Sequence, residues 1–165
     1  MAFQLHPDAR DWFKKVRGKD GKGREPLQTL FDVYHMCFVL GIARGRFEAL
    51  GDSGDTFMDE FIQRYRAYHL LMIGAMISKS LQRQGVAVSD RKAVAQEVVR
   101  FVDSSGVGMV LKAEGFRELN GYAAGGFDYL REEITSPPGD MVYLLNRYSR
   151  LLKEENTPAA SGPQL

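Results

Sequence analysis

Pro26-Leu27-Gln28-Thr29-Leu30-Phe31-Asp32-Val33-Tyr34-His35-Met36-Cys37-Phe38-Val39-Leu40-Gly41-Ile42-Ala43-Arg44-Gly45 has the spacing of a helix. Leu27, Leu30, Phe31, Tyr34, Phe38 and Ile42 follow one another at three- and four-residue steps, so they share one face of a helix over 26–44. Pro26 suits a first turn, whose N–H has no partner within the helix, and Gly45 takes the left-handed conformation that stops one. From Met36 to Ala43 apolar residues run nearly all round the axis, which predicts a central helix covered on several sides.

The same periodicity extends outward in both directions. A short amphipathic piece over 7–17 carries Ala9, Trp12, Phe13 and Val16 in register. A long helix is predicted over 55–84, with Phe57, Phe61, Tyr65, Tyr68, Met72 and Met76 on its buried side and Gly85 after its end. Ser89 is the expected N-cap of a helix over 90–103, with Val94, Val98, Val99, Phe101 and Val102 inward. A further helix over 114–133 keeps its apolar register through Gly121 and Gly125-Gly126. Mid-helix glycines cost about 1 kcal/mol each against alanine, so this stretch either kinks or is approached closely by a neighbour. Met141, Leu144, Leu145, Tyr148, Leu151 and Leu152 make a stripe on a last helix over 139–153. Strand-like alternation is confined to Gly85-Val86-Ala87-Val88. The expected fold is all-α, a compact orthogonal bundle of five to six helices with 26–45 and 55–85 at its centre.

The 165 residues suit a single domain, placed at 1–155, with a mobile basic loop at 18–25 and a disordered C-terminal tail at 156–165. Hydrophobic residues make up 44% and charged residues 26%, which is enough to build a packed core. A net charge of +1 excludes a polycation and confines any nucleic-acid contact to a local patch. One cysteine, Cys37, permits no intrachain disulfide and sits in an apolar run. The N-terminal residues lack the pattern of a secretory signal, and the apolar windows 36–43 and 70–77 fall far short of the roughly 20 residues that span a bilayer. A cytoplasmic protein without a membrane partner is expected.

Charge concentrates in one segment. Within 10–24, Arg10, Lys14, Lys15, Arg17, Lys19, Lys22 and Arg24 face only Asp11 and Asp20, which leaves a local charge of +5. Residues 18–25 hold three glycines and no apolar side chain. Such a segment can follow a phosphate backbone, or it can simply be a solvated loop. The glycines make no phosphate loop, since no strand precedes them and no Gly-Lys-Ser/Thr opens a helix after them. Arg44 and Arg46 flank Gly45, where they complement a helix C-terminus or reach a phosphate.

No catalytic constellation stands out. His6, His35 and His69 lack the paired spacing of metal ligands, so no metal and no cofactor are expected. An enzyme built from Asp32, His35, Glu60 and His69 would need a convergence that the spacing does not indicate. Ten Phe, seven Tyr and one Trp are more than an all-helical core of this size needs. Tyr65, Tyr68, Tyr122, Tyr129, Tyr143 and Tyr148 therefore serve either the core or a protein contact.

Leu30-Phe31-Asp32-Val33-Tyr34 followed by Phe38-Val39-Leu40-Gly41-Ile42-Ala43-Arg44-Gly45-Arg46 resembles a pattern in small helical proteins encoded beside bacterial DNA phosphorothioation and related anti-phage systems. Leu119-Asn120-Gly121-Tyr122-Ala123-Ala124-Gly125-Gly126-Phe127-Asp128-Tyr129-Leu130 resembles a second element of that group. The resemblance implies a non-catalytic accessory subunit that works on DNA with a larger ATPase or nuclease partner. The alternative is a homo-oligomeric scaffold without DNA contact, assembled through the long helix or through 115–130.

Overall fold

A computed structural model describes residues 1–18, 27–103 and 110–154. The tail 156–165 and all of the loop 18–25 except Gly18 lie outside the described residues. The described chain is mostly helical and carries two small two-stranded sheets.

The central helix α2 spans Leu30–Arg44, and nine of its fifteen residues are buried. It begins later than Pro26 because Thr29 and Asp32 close a capping box. The Thr29 hydroxyl accepts from Asp32 N–H at 3.2 Å, and Asp32 Oδ2 accepts from Thr29 N–H at 2.7 Å. It ends as expected at Gly45, whose φ of 62° lets Arg46 N–H return to the Gly41 carbonyl at 2.9 Å.

Helix α5 (Ala113–Glu133) lies along α2. A side chain on Gly41 would run into the Tyr122 carbonyl, and one on Gly126 into the Cys37 carbonyl. The glycines therefore mark a close backbone approach. Gly121 leaves room for the Phe47 ring, and Arg83 stacks 4.1 Å above that ring while pairing with Glu118 at 2.7 Å. Residues 115–130 are thus mostly buried inside the molecule.

The helix expected over 55–84 is broken into three parts. Strand β2 (Asp55–Met58) pairs antiparallel with β1 (Phe3–Leu5), a 3₁₀ turn covers Gln63–Tyr65, and only α3 (His69–Arg83) is helical. Phe57, Phe61 and Tyr65 are apolar at four-residue steps for a different reason. Their rings gather around Phe3 and Phe31 from an extended and turning backbone. Phe3 is fully buried, edge-on to Phe31, Tyr34, Phe61 and Phe116 at 4.9–5.2 Å. Each such pair adds about 0.5–1.5 kcal/mol to the burial itself, and this outweighs local helix preference.

Helix α1 is one turn, Ala9–Trp12, although Trp12, Phe13 and Val16 are buried as the 7–17 reading requires. Helix α4 (Arg91–Phe101) is capped by Asp90 rather than Ser89, and Val99 faces solvent. Val102 falls in β3 (Val102–Asp103), which pairs with β4 (Val110–Leu111). Residues 85–88 form no strand. Helices α3 and α4 pack on α5 and on each other. Helix α6 (Met141–Lys153) starts at Asp140, whose carboxylate accepts from Tyr143 N–H, and buries Leu144 and Leu151.

Candidate functional site

The basic residues divide into three groups. Arg10 Nε and Nη2 donate to the Asp55 carboxylate at 2.6 and 3.1 Å, so this guanidinium ties α1 to β2. Lys14 and Lys15 are exposed on the turns after α1, and Arg17 is half-buried beside them. Buried Trp12, Phe13 and Val16 anchor these turns from within. Gly18 N–H donates to the carbonyl of buried Leu27 at 2.9 Å. Lys19, Lys22 and Arg24 lie outside the described residues.

Arg44 and Arg46 form a separate group around Tyr129, whose ring lies 5.4 and 5.2 Å from their guanidinium carbons. Only 8% of the Arg44 side chain is exposed. Its Nη2 donates to the Leu151 carbonyl, and Glu154 lies 3.6 Å away, so Arg44 fastens the end of α6 to the end of α2. Arg46 is half exposed and pairs with Glu132 at 2.8 Å.

A polar cleft of about 310 Å³ opens between Arg46–Glu48 and the second half of α5. Most of its charged side chains are paired within the protein. Arg131 bridges Asp8 at 2.6 Å and Asp128 at 3.0 Å, His6 lies 3.7 Å from Asp128, and Arg46 holds Glu132. The Arg131–Asp8 and His6–Asp128 contacts link the N-terminal segment to α5, and Arg46–Glu132 links the turn after α2 to it.

Asp32 is a buried carboxylate solvated by protein groups. Its Oδ2 accepts from Gln28 N–H, Thr29 N–H and the Thr29 hydroxyl, and its Oδ1 accepts from Tyr65 at 2.6 Å with Arg64 3.5 Å away. Burial works to raise its pKa, but the hydrogen bonds from Tyr65 and Thr29 and the charge of Arg64 prevail and hold it below the usual carboxylate value. The same burial, with Asp32 as acceptor, pushes the Tyr65 phenol well up. His35 stacks on Tyr65 at 4.9 Å, and burial lowers its pKa despite the neighbouring Asp32 charge. His69 packs on Phe61 at 5.7 Å with Nδ1 against the Arg66 carbonyl, and Glu60 is exposed. Asp32 thus acts as a brace between α2 and the 63–65 turn.

A depressed carboxylate pKa stabilises the fold above the unfolded value of about 3.9, and that contribution is lost as pH falls through the folded value. Asp32→Asn is expected to cost about 2 kcal/mol at neutral pH, since it removes charge-assisted bonds to a buried group. It is also expected to flatten the acid limb of the stability curve. Thermal melts of both proteins from neutral pH down to pH 3 check this, and parallel curves would deny Asp32 the role.

The apolar groove between α2 and α3 was not foreseen from sequence. It holds about 310 Å³ and is walled by His35, Val39 and Ile42 from α2 and Tyr68, Leu71 and Ala75 from α3. Leu71 is 70% exposed, Leu70 54% and Tyr68 53%. Of the six tyrosines singled out above, Tyr122 is buried, Tyr65 and Tyr148 spend their hydroxyls on Asp32 and the Met36 carbonyl, and Tyr129 lies beside the two arginines. Tyr68 and Tyr143 are the two that face solvent.

No protein-family model, curated protein or solved structure matches this chain. Among the described residues, no helix is long and apolar enough to cross a membrane, and no group of three or more His, Cys, Asp or Glu is placed to hold a metal ion.

Proposed function

We propose that this chain is a non-catalytic adaptor that docks a larger protein in the groove between α2 and α3 and contacts DNA through the basic segment 10–24. The groove carries the reading. A domain that fully buries Phe3, Phe13, Phe101 and Tyr34 leaves Tyr68 and Leu71 of the groove in water beside Val39 and Ile42, and contiguous apolar surface of this kind marks an interaction site. The resemblance of 30–46 and 119–130 to accessory proteins of phosphorothioation-linked systems supports a cytoplasmic role beside an ATPase or nuclease of a bacterial anti-phage complex. An orthogonal crossing of the helices belongs to the same proposal.

Exposed Lys14 and Lys15 support the DNA contact, and Lys19, Lys22 and Arg24 follow them in the sequence. Arg10 and Arg44 contribute to the fold instead, through Asp55 and the end of α6. Labelled duplex and single-stranded DNA titrated at two salt concentrations should show binding that weakens steeply with salt. Replacing Lys14, Lys15, Lys19 and Lys22 together by Glu is expected to abolish that binding and leave the melting temperature unchanged. Unaltered binding would overturn the assignment of 10–24.

The exposed face of α6, with Val142 at 70% and Tyr143 at 48%, favours a second reading as a homo-oligomeric scaffold. Light-scattering mass across a concentration series separates the two: a monomer throughout rejects the scaffold.

A further inference from the structure

We infer that the occupant of the α2–α3 groove is an amphipathic helix with carboxylates along its flanks, an inference that rests on the adaptor reading. Shape is the first observation. His35, Val39 and Ile42 on one wall and Tyr68, Leu71 and Ala75 on the other are spaced at three to four residues. The groove therefore runs for about two helical turns, or ~10 Å. That is the length occupied by three apolar side chains at i, i+3 or i+4, and i+7 of a helix laid into a cleft.

Charge is the second observation, and it selects the partner. Between Glu60 and Asp90 the chain carries no carboxylate, while Arg64, Arg66, Lys79 and Arg83 fall within that interval. Arg83 is committed to Glu118 and Arg64 lies by Asp32. Arg66 is exposed just before Tyr68, and half-buried Lys79, whose Nζ donates to the neutral Gln82 amide at 3.0 Å, stands one turn beyond Ala75 on the same face of α3. Cations thus stand at both ends of the α3 wall. The one acid within α2, Asp32, is buried and already satisfied by Thr29 and Tyr65.

These two features together favour such a helix over other occupants. A second copy bound face to face would set Arg66 and Lys79 against their own counterparts, which like-charge repulsion opposes. A bilayer surface offers anions but no ridge to fill a concave cleft. An acidic helix supplies both, its apolar side chains entering between the walls and its carboxylates meeting Arg66 and Lys79.

The test uses the full chain and two labelled synthetic helices with leucines at i, i+4 and i+7. One carries glutamates on both flanks, the other lysines at the same positions. Fluorescence anisotropy should show salt-sensitive binding of the acidic peptide and weak or absent binding of the basic one. Leu71→Glu, at a 70% exposed position, should reduce acidic-peptide affinity at least about tenfold with unchanged circular dichroism. Arg66→Glu with Lys79→Glu should cost roughly tenfold and reverse the preference toward the basic peptide. Equal binding of both peptides overturns the charge selection alone and leaves the groove as a protein-docking face. Binding of neither overturns the docking face as well. Preferential, Leu71-dependent binding to phosphatidylserine vesicles with no peptide binding replaces the helix by a lipid surface and overturns the inference.

Discussion

Gly41→Ala is expected to destabilise the protein by about 3 kcal/mol or more, and Gly126→Ala by a comparable amount. The atoms in the way are the Tyr122 and Cys37 carbonyls, part of the backbone of the facing helix, so no side-chain rotation relieves the clash. Relief requires α2 and α5 to move apart along the most extensive helix contact in the molecule. For a chain of this length that is a fall of roughly 6–12 °C in melting temperature. Gly74→Ala is the control. Gly74 sits in α3 with nothing within 4 Å of the place an added methyl would take, and alanine there should stabilise by about 0.4–1 kcal/mol through the unfolded chain. Urea denaturation of the three variants decides the matter, and a wild-type midpoint for Gly41→Ala would refute the backbone contact.

Asn120→Ala is expected to cost about 3–4 kcal/mol, because it leaves two buried donors without an acceptor at roughly 1–3 kcal/mol each. Asn120 is 3% exposed. Its Oδ1 accepts from Gln4 N–H at 3.1 Å and from the Tyr34 hydroxyl at 3.0 Å, and its Nδ2 donates to the Ala2 carbonyl at 3.0 Å. One amide therefore joins α5, α2 and β1, and its loss frees the strand that places Phe3 among its neighbouring rings. In a Tyr34→Phe background the donor is already gone, so Asn120→Ala should cost less. Equal costs in both backgrounds would show that the two side chains do not share a bond.

Helices α2, α5 and α6 were legible because their signals are local. Apolar residues at three- and four-residue steps mark their faces, Gly45 marks a stop, and the glycines of 121–126 announce either a kink or a close neighbour. The paired strands β1 and β2 were not legible, since Phe57, Phe61 and Tyr65 satisfy helical spacing equally well. What decides their path is Phe3, more than fifty residues away in sequence. The same applies to Arg44. A cation at a helix end reads as a phosphate contact or a dipole partner, while its actual acceptor, the Leu151 carbonyl, is 107 residues distant. Exposed Lys14 and Lys15 were legible from the apolar anchors on either side of them. The groove was hidden because Leu71, like its neighbour Leu70, looks like core. They face solvent only once Met72, Ile73, Met76 and Ile77 have fixed which side of α3 turns inward.

The glycine seam has a mechanical consequence for the groove. A joint in which two backbones touch has no side chains to shear, so α2 cannot slide or roll on α5 as a smoothly packed helix can. Helix α3 meets α2 sparsely. In the proposed docking, the α2 wall is thus set by α5 directly, while the α3 wall is held through α4 and α5, the Arg83–Glu118 pair included.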